Sequence, residues 1–103
     1  MPESQKRIPP QAVDAEKAVL GCILINANSI SSVLQHLTAQ SFYQKEHCLI
    51  FDHMISLYEK SIPIDSVNLI EELKKNKNLK TVGGAYYITG LTQDAPSASN
   101  AEY

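Results

Sequence analysis

The residues with the most chemical potential are His47, Cys48 and His53, the carboxylate pair Glu71-Glu72 and the glycine pair Gly83-Gly84. A metal needs ligands that converge. On a helix His47 and His53 are separated by about 600° of rotation and point to different sides. No H-E-x-x-H or C-x-x-C accompanies them. His47 therefore reads as a core-edge histidine bonded to backbone, and His36 and His53 as surface residues. Cys22 and Cys48 sit in apolar contexts and read as buried free thiols. Glu71 and Glu72 are sequential and face different ways, which suits a solvated helix surface and not general acid–base chemistry. Gly83-Gly84 is not followed by Lys-Ser or Lys-Thr, and G-x-x-x-x-G-K-[ST] occurs nowhere in the chain. The serines include no G-x-S-x-G elbow. These residues predict no catalytic centre, no cofactor site and no metal site in this chain. The aromatic pair Tyr86-Tyr87 divides: Tyr87 shares a helical face with Ile88 and Leu91 and should pack in the core. An exposed Tyr86 would suit a protein interface, where tyrosine offers large area at low entropic cost.

The elements that would position these groups belong to a single small domain. The chain has 103 residues, a net charge of -2 and 44% hydrophobic residues. Ile, Leu, Val and Phe make up about a quarter of it, above the level at which disorder is expected. No apolar run approaches the ~18 residues of a membrane span. No apolar stretch follows the first charges, so no secretory signal is expected. Lys and Arg number 9 against 11 for Asp and Glu. Duplex binders are usually basic, because phosphate neutralisation and counterion release supply much of their affinity. Composition therefore argues against gripping nucleic acid as the main role and leaves room only for a local basic patch.

Residues 1–11 hold three of the five prolines and are expected to form a flexible lead-in. Asp14 is the expected N-cap of a first helix, with Glu16 near the positive end of its dipole. Ala15, Ala18, Val19, Cys22 and Ile23 define its apolar face, and Leu20, Leu24 and Ile25 widen it. Ile30, Val33, Leu34 and Leu37 give a second helix. A helical turn at 38–43 should drop Phe42 and Tyr43 into the core. A third helix over 45–59 buries Ile50, Phe51, Met54, Ile55 and Tyr58, with His47 on the same side. Asp65 should cap a fourth helix that carries Leu69, Ile70 and Leu73 inward and pairs Glu71 with Lys75. Gly83-Gly84 opens a fifth. Ser97 has the signals of a sixth start, with no stop before Tyr103. No alternation of apolar and polar residues marks a strand. The fold class is thus all-α, a compact orthogonal bundle of about six short helices. Residues 12–96 make up its body, and 97–103 begin a further helix.

Six motifs occur in order along the chain. They are Ile8-Pro9-Pro10 with Asp14-Ala15-Glu16-Lys17-Ala18-Val19-Leu20-Gly21, Phe42-Tyr43 with His47, Ile50-Phe51 with Leu57-Tyr58, and Pro63-Ile64-Asp65. Val82-Gly83-Gly84-Ala85-Tyr86-Tyr87 and Ala95-Pro96-Ser97-Ala98-Ser99-Asn100 with Tyr103 complete the set. Each is weak alone; together, at matching spacing, the chain from Ile8 onward resembles the N-terminal domain of DnaB-type replicative DNA helicases. Ala95 departs from the Thr that the family often has there. The resemblance implies that 97–103 is the start of a truncated hairpin helix, and the rest of the hairpin, the linker and the RecA-like ATPase domain that continue the family pattern lie outside this sequence.

That resemblance implies a helical head that forms part of a collar on a hexameric helicase ring. It implies self-association into dimers and a hexamer, docking of the helicase-binding domain of primase, and little direct nucleic-acid binding by the head. ATP and Mg would belong to the parent helicase, whose ATPase domain is elsewhere. The implied location is the bacterial cytoplasm or a plastid stroma. No motif fixes the docking residues. The candidates are Asp14, Glu16, Tyr86 and Tyr87, which head the first and fifth helices. The rival readings are a stand-alone single-strand-binding helical module and the helicase-binding domain of a primase.

Overall fold

A computed structural model describes residues 10–94, with side chains for 12–93. Among the described residues five α-helices run in order: α1 (Pro10–Ile25), α2 (Ser29–Val33), α3 (Lys45–Glu59), α4 (Ser66–Lys75) and α5 (Gly84–Asp94), with a 3-10 turn at Ala39–Ser41. There is no strand among the described residues. The expected sixth helix from Ser97 lies outside the described residues, as does most of the lead-in.

α3 is the centre of the bundle. Ile50, Phe51, Met54 and Leu57 recur at helical spacing and are fully buried. Each buried side chain of this size contributes about 1.5–3 kcal/mol of transfer free energy. The 3-10 turn and α4 pack on α3, while α1 and α5 make the most extensive helix–helix contact and close the other side.

α1 begins at Pro10, four residues before the expected cap. Proline's fixed φ suits a first helical turn, where its missing N–H costs nothing. Asp14 is therefore inside the helix and exposed, not its N-cap. The core face of α1 is narrower than expected, and Ile25 is 55% exposed. Leu20, Ile23 and Leu24 are buried together with Glu16, whereas Ala15 is exposed and Ala18, Val19 and Cys22 are half-buried. The bulkier side chains take the interior, and Glu16 is drawn in by partners described below.

α2 is shorter than the sequence suggests. It buries Ile30 and gives way to a turn at 34–36. Phe42 enters the core, but Tyr43 does not; it is 67% exposed. Tyr58 is likewise exposed, and Leu57 takes the inward position expected of it. Asp65 caps α4 as expected, its Oδ1 accepting from the Asn68 N–H at 2.7 Å.

α3 and α4 both end in a left-handed residue that is not glycine. At the end of α3, Ser61 has φ 61°. The Ile62 N–H bonds the Leu57 carbonyl and the Ser61 N–H bonds that of Tyr58. At the end of α4, Lys77 has φ 62°. The Asn78 N–H bonds the Leu73 carbonyl and the Lys77 N–H that of Lys74. Both are Schellman closures.

Candidate functional site

Each of α1, α3 and α5 places one polar side chain among its apolar ones, and the three meet. Glu16 is one turn before Leu20 on α1 and only 9% exposed. Its carboxylate accepts from the backbone N–H groups of Tyr43 and Gln44, just before α3. It also lies 2.7 Å from Nδ1 of His47, in the first turn of α3. The other ring nitrogen, Nε2, is 2.6 Å from the Tyr87 hydroxyl on α5. The His47 and Tyr87 rings stack with planes 16° apart.

The proton positions follow from the partners. A carboxylate only accepts, so Nδ1 of His47 carries a proton and donates to Glu16. In the neutral imidazole Nε2 then accepts from the Tyr87 hydroxyl. Neither ring nitrogen is left for a metal or for a general base. The Glu16–His47–Tyr87 chain instead ties α1, the Phe42–Gln44 segment, α3 and α5 together. A buried carboxylate is tolerated here because two backbone amides and an imidazole satisfy it.

This tie engages two of the four candidate docking residues, Glu16 and Tyr87, together with His47. Glu16 is not a solvated head-group of α1, and it acts inside the fold. Tyr87 takes the packing role, with its hydroxyl bonded to His47. His47 bonds two side chains and not backbone. Tyr86, by contrast, is 91% exposed and Asp14 is exposed, so these two are the candidates that a partner could reach. The sequence signal for the tie lies in His47 and Tyr87, which share apolar helical faces and need partners once buried.

A second tie joins α3 and α4. Glu72 is only 5% exposed, contrary to the expected solvated surface. It accepts from Lys60 Nζ at 2.7 Å and from Ser56 Oγ at 3.2 Å, with Lys75 at 3.8 Å. The expected Glu71–Lys75 pair is replaced by this one, since Glu72 shares the inward side of α4 with Leu69 and Leu73. The hydrogen bond from Lys60 holds the Glu72 carboxyl below the usual range, against the opposing effect of burial.

His53 is buried and not on the surface. Its Nδ1 donates to the Leu49 carbonyl at 2.7 Å, and Nε2 faces the Asn78 amide at 3.3 Å. His36 is exposed as expected. Cys22 and Cys48 are free and half-buried. Burial and the nearby charge of Glu16 push the Cys48 thiol up, so it stays protonated and donates to the Phe42 carbonyl. Among the described residues no group of three or more His, Cys, Asp or Glu could hold a metal, and no helix is long and apolar enough to cross a membrane.

The fold and the ties define a small all-helical head whose buried polar groups lock its helices to one another. Its sequence places it more narrowly. Residues 8–103 match the model of the DnaB-like helicase N-terminal domain, and the chain belongs to that family. It is 39% identical over 97 residues to a replicative DNA helicase DnaB of Rhodothermus marinus, covering 94% of this chain and 10% of that protein. It is 38% identical over 101 residues to the DnaB of Treponema pallidum, covering 98% of this chain and 23% of that protein. The crystal structure of the N-terminal domain of DnaB helicase from Mycobacterium tuberculosis superimposes with a TM-score of 0.84 at 36% identity. That match covers 93% of this chain and 70% of the other. The chain thus spans a quarter or less of the length of these full-length relatives.

Proposed function

We propose that this chain is the non-catalytic collar domain of a replicative DNA helicase, stabilising a hexameric ring through self-association and docking primase. One observation carries the reading: almost the whole chain aligns to a fraction of much longer helicases, at an identity and TM-score that fix both fold and family. ATP and Mg belong to the ATPase domain of that longer protein, since no phosphate-binding loop is present in this sequence. The -2 charge suits an adaptor. Asp14 and Tyr86 are the docking residues, because both are exposed while Glu16 and Tyr87 are engaged inside the fold.

The test is a titration of the full-length parent with the helicase-binding domain of primase, alongside native mass spectrometry for the ring. Tyr86→Ala should weaken primase binding by about tenfold, the scale of a 1.4 kcal/mol contact, with an unchanged melting temperature. A parent that forms rings but shows no primase binding would end the docking half of the proposal. One that stays monomeric would end the other half.

A further inference from the structure

The lysines of this acidic chain are not evenly spread. Lys74, Lys75, Lys77 and Lys80 place four positive charges in seven residues that contain no acid, in a chain of net charge -2. All four are exposed, at the C-terminal end of α4 and in the turn that leads to α5. Lys74 and Lys75 are accounted for by the negative end of the helix dipole, and Lys75 also approaches Glu72. Lys77 and Lys80 lie beyond the helix. Among the described residues, Lys74, Lys77 and Lys80 make no ion pair. Lys77 moreover occupies a left-handed position, φ 62°, where glycine would be the unstrained choice.

The surroundings indicate what such a patch would meet. Leu79 and Val82, the apolar residues of the segment, are half-buried and buried, so its outer surface is Lys with Asn76 and Thr81. Protein interfaces favour aromatic residues and Arg and are depleted in Lys. Phosphate oxygens are contacted by Lys, Asn and Thr alike, and Lys acts there as a point charge without the bidentate geometry that reads a particular group. No aromatic residue lies within 74–85 to stack on bases. We infer that the surface at 74–81 is a contact for the phosphodiester backbone of a single nucleic-acid strand, blind to base sequence. The inference rests on charge placement and is independent of the primase-docking proposal.

The experiment is fluorescence anisotropy of a labelled oligothymidylate with this 103-residue chain, across salt concentrations. A single-strand slope of about -0.7 per phosphate gives about -3 for four lysines, a roughly 50-fold loss of affinity between 50 and 200 mM salt. Lys74→Gln, Lys77→Gln and Lys80→Gln combined should reduce the slope to about -1 with an unchanged melting temperature, while Lys45→Gln should leave it alone. A mixed-sequence strand of equal length should bind as tightly as oligothymidylate. Absence of binding at 50 mM salt, or a slope indifferent to the triple substitution, would overturn the inference. So would a triple variant that altered self-association in sedimentation while binding the strand normally, which would reassign the patch to a protein contact.

Discussion

The Tyr87 hydroxyl lies 2.6 Å from Nε2 of His47, and the two rings stack almost parallel. The bond completes a chain from Glu16 on α1 through α3 to α5, so one tyrosine oxygen decides whether His47 is fully satisfied. Tyr87→Phe keeps the ring stack and removes the hydroxyl that meets Nε2. It should cost about 1–2 kcal/mol in urea unfolding, the penalty for leaving a buried imidazole nitrogen unpaired. A neutral result would mean that water replaces the hydroxyl.

Glu16 has more to lose. Its carboxylate satisfies two backbone N–H groups and one imidazole N–H. Glu16→Gln is nearly isosteric, yet one of its two terminal atoms becomes a donor and must face a donor. The expected cost is about 2–4 kcal/mol, more than for Tyr87→Phe, by chemical denaturation. Any loss of partner binding in this variant should therefore track its stability. Glu16→Gln that loses primase binding at full stability would contradict the internal role given to Glu16.

The apolar rhythm in the sequence shows α3 to the residue, and Asp65 and the glycine pair mark the starts of α4 and α5, because those signals are local. The inward turns of Glu16, His53 and Glu72 are not legible, because periodicity assigns polar residues outward. The partners that draw Glu72 and Glu16 inward are remote in sequence, Lys60 12 positions from Glu72 and His47 31 from Glu16. Tyr43 and Tyr58 show the converse: apolar by type, they stand in solvent because Phe42 and Leu57 beside them fill the available core.

Glu72 makes stability depend on pH with a definite sign. Lys60 lowers its folded-state pKa below the unfolded value of roughly 4.3. The contribution is then fully present above that value and is lost as pH falls through the folded pKa. Lys60→Met should destabilise the domain at pH 7, and the gap in melting temperature from the unsubstituted chain should narrow below about pH 4. A gap constant from pH 7 to pH 3 would show that Lys60 acts through packing alone.

Ser61 and Lys77 carry side chains at φ 61° and 62°, where each helix closes by a Schellman pair. Glycine relieves the steric conflict between Cβ and carbonyl, and gives back part of the gain as unfolded-state entropy. Ser61→Gly and Lys77→Gly should each stabilise by about 0.5–1 kcal/mol in thermal or urea unfolding. The two sites end different helices, so the double variant should be close to additive.

Gly83 and Gly84 look equivalent in sequence and are not equivalent in the fold. Both are left-handed, at φ 109° and 84°. A Cβ on Gly84 would meet nothing within 4 Å, so Gly84→Ala bears backbone strain alone, about 1–2 kcal/mol. A Cβ on Gly83 would sit 3.0 Å from Cβ of Tyr87 and 3.2 Å from its Cγ. Those atoms cannot swing aside, because the ring beyond them is stacked on His47 and bonded to it. Gly83→Ala must therefore either shift the start of α5 or break the bond to His47, and should cost at least about 1 kcal/mol more than Gly84→Ala. The two costs should couple: on a Tyr87→Phe background, where the ring has lost its tether, the extra penalty of Gly83→Ala should shrink in a double-mutant cycle. Additive costs would show that the backbone at Gly83, and not the tethered tyrosine, sets the penalty.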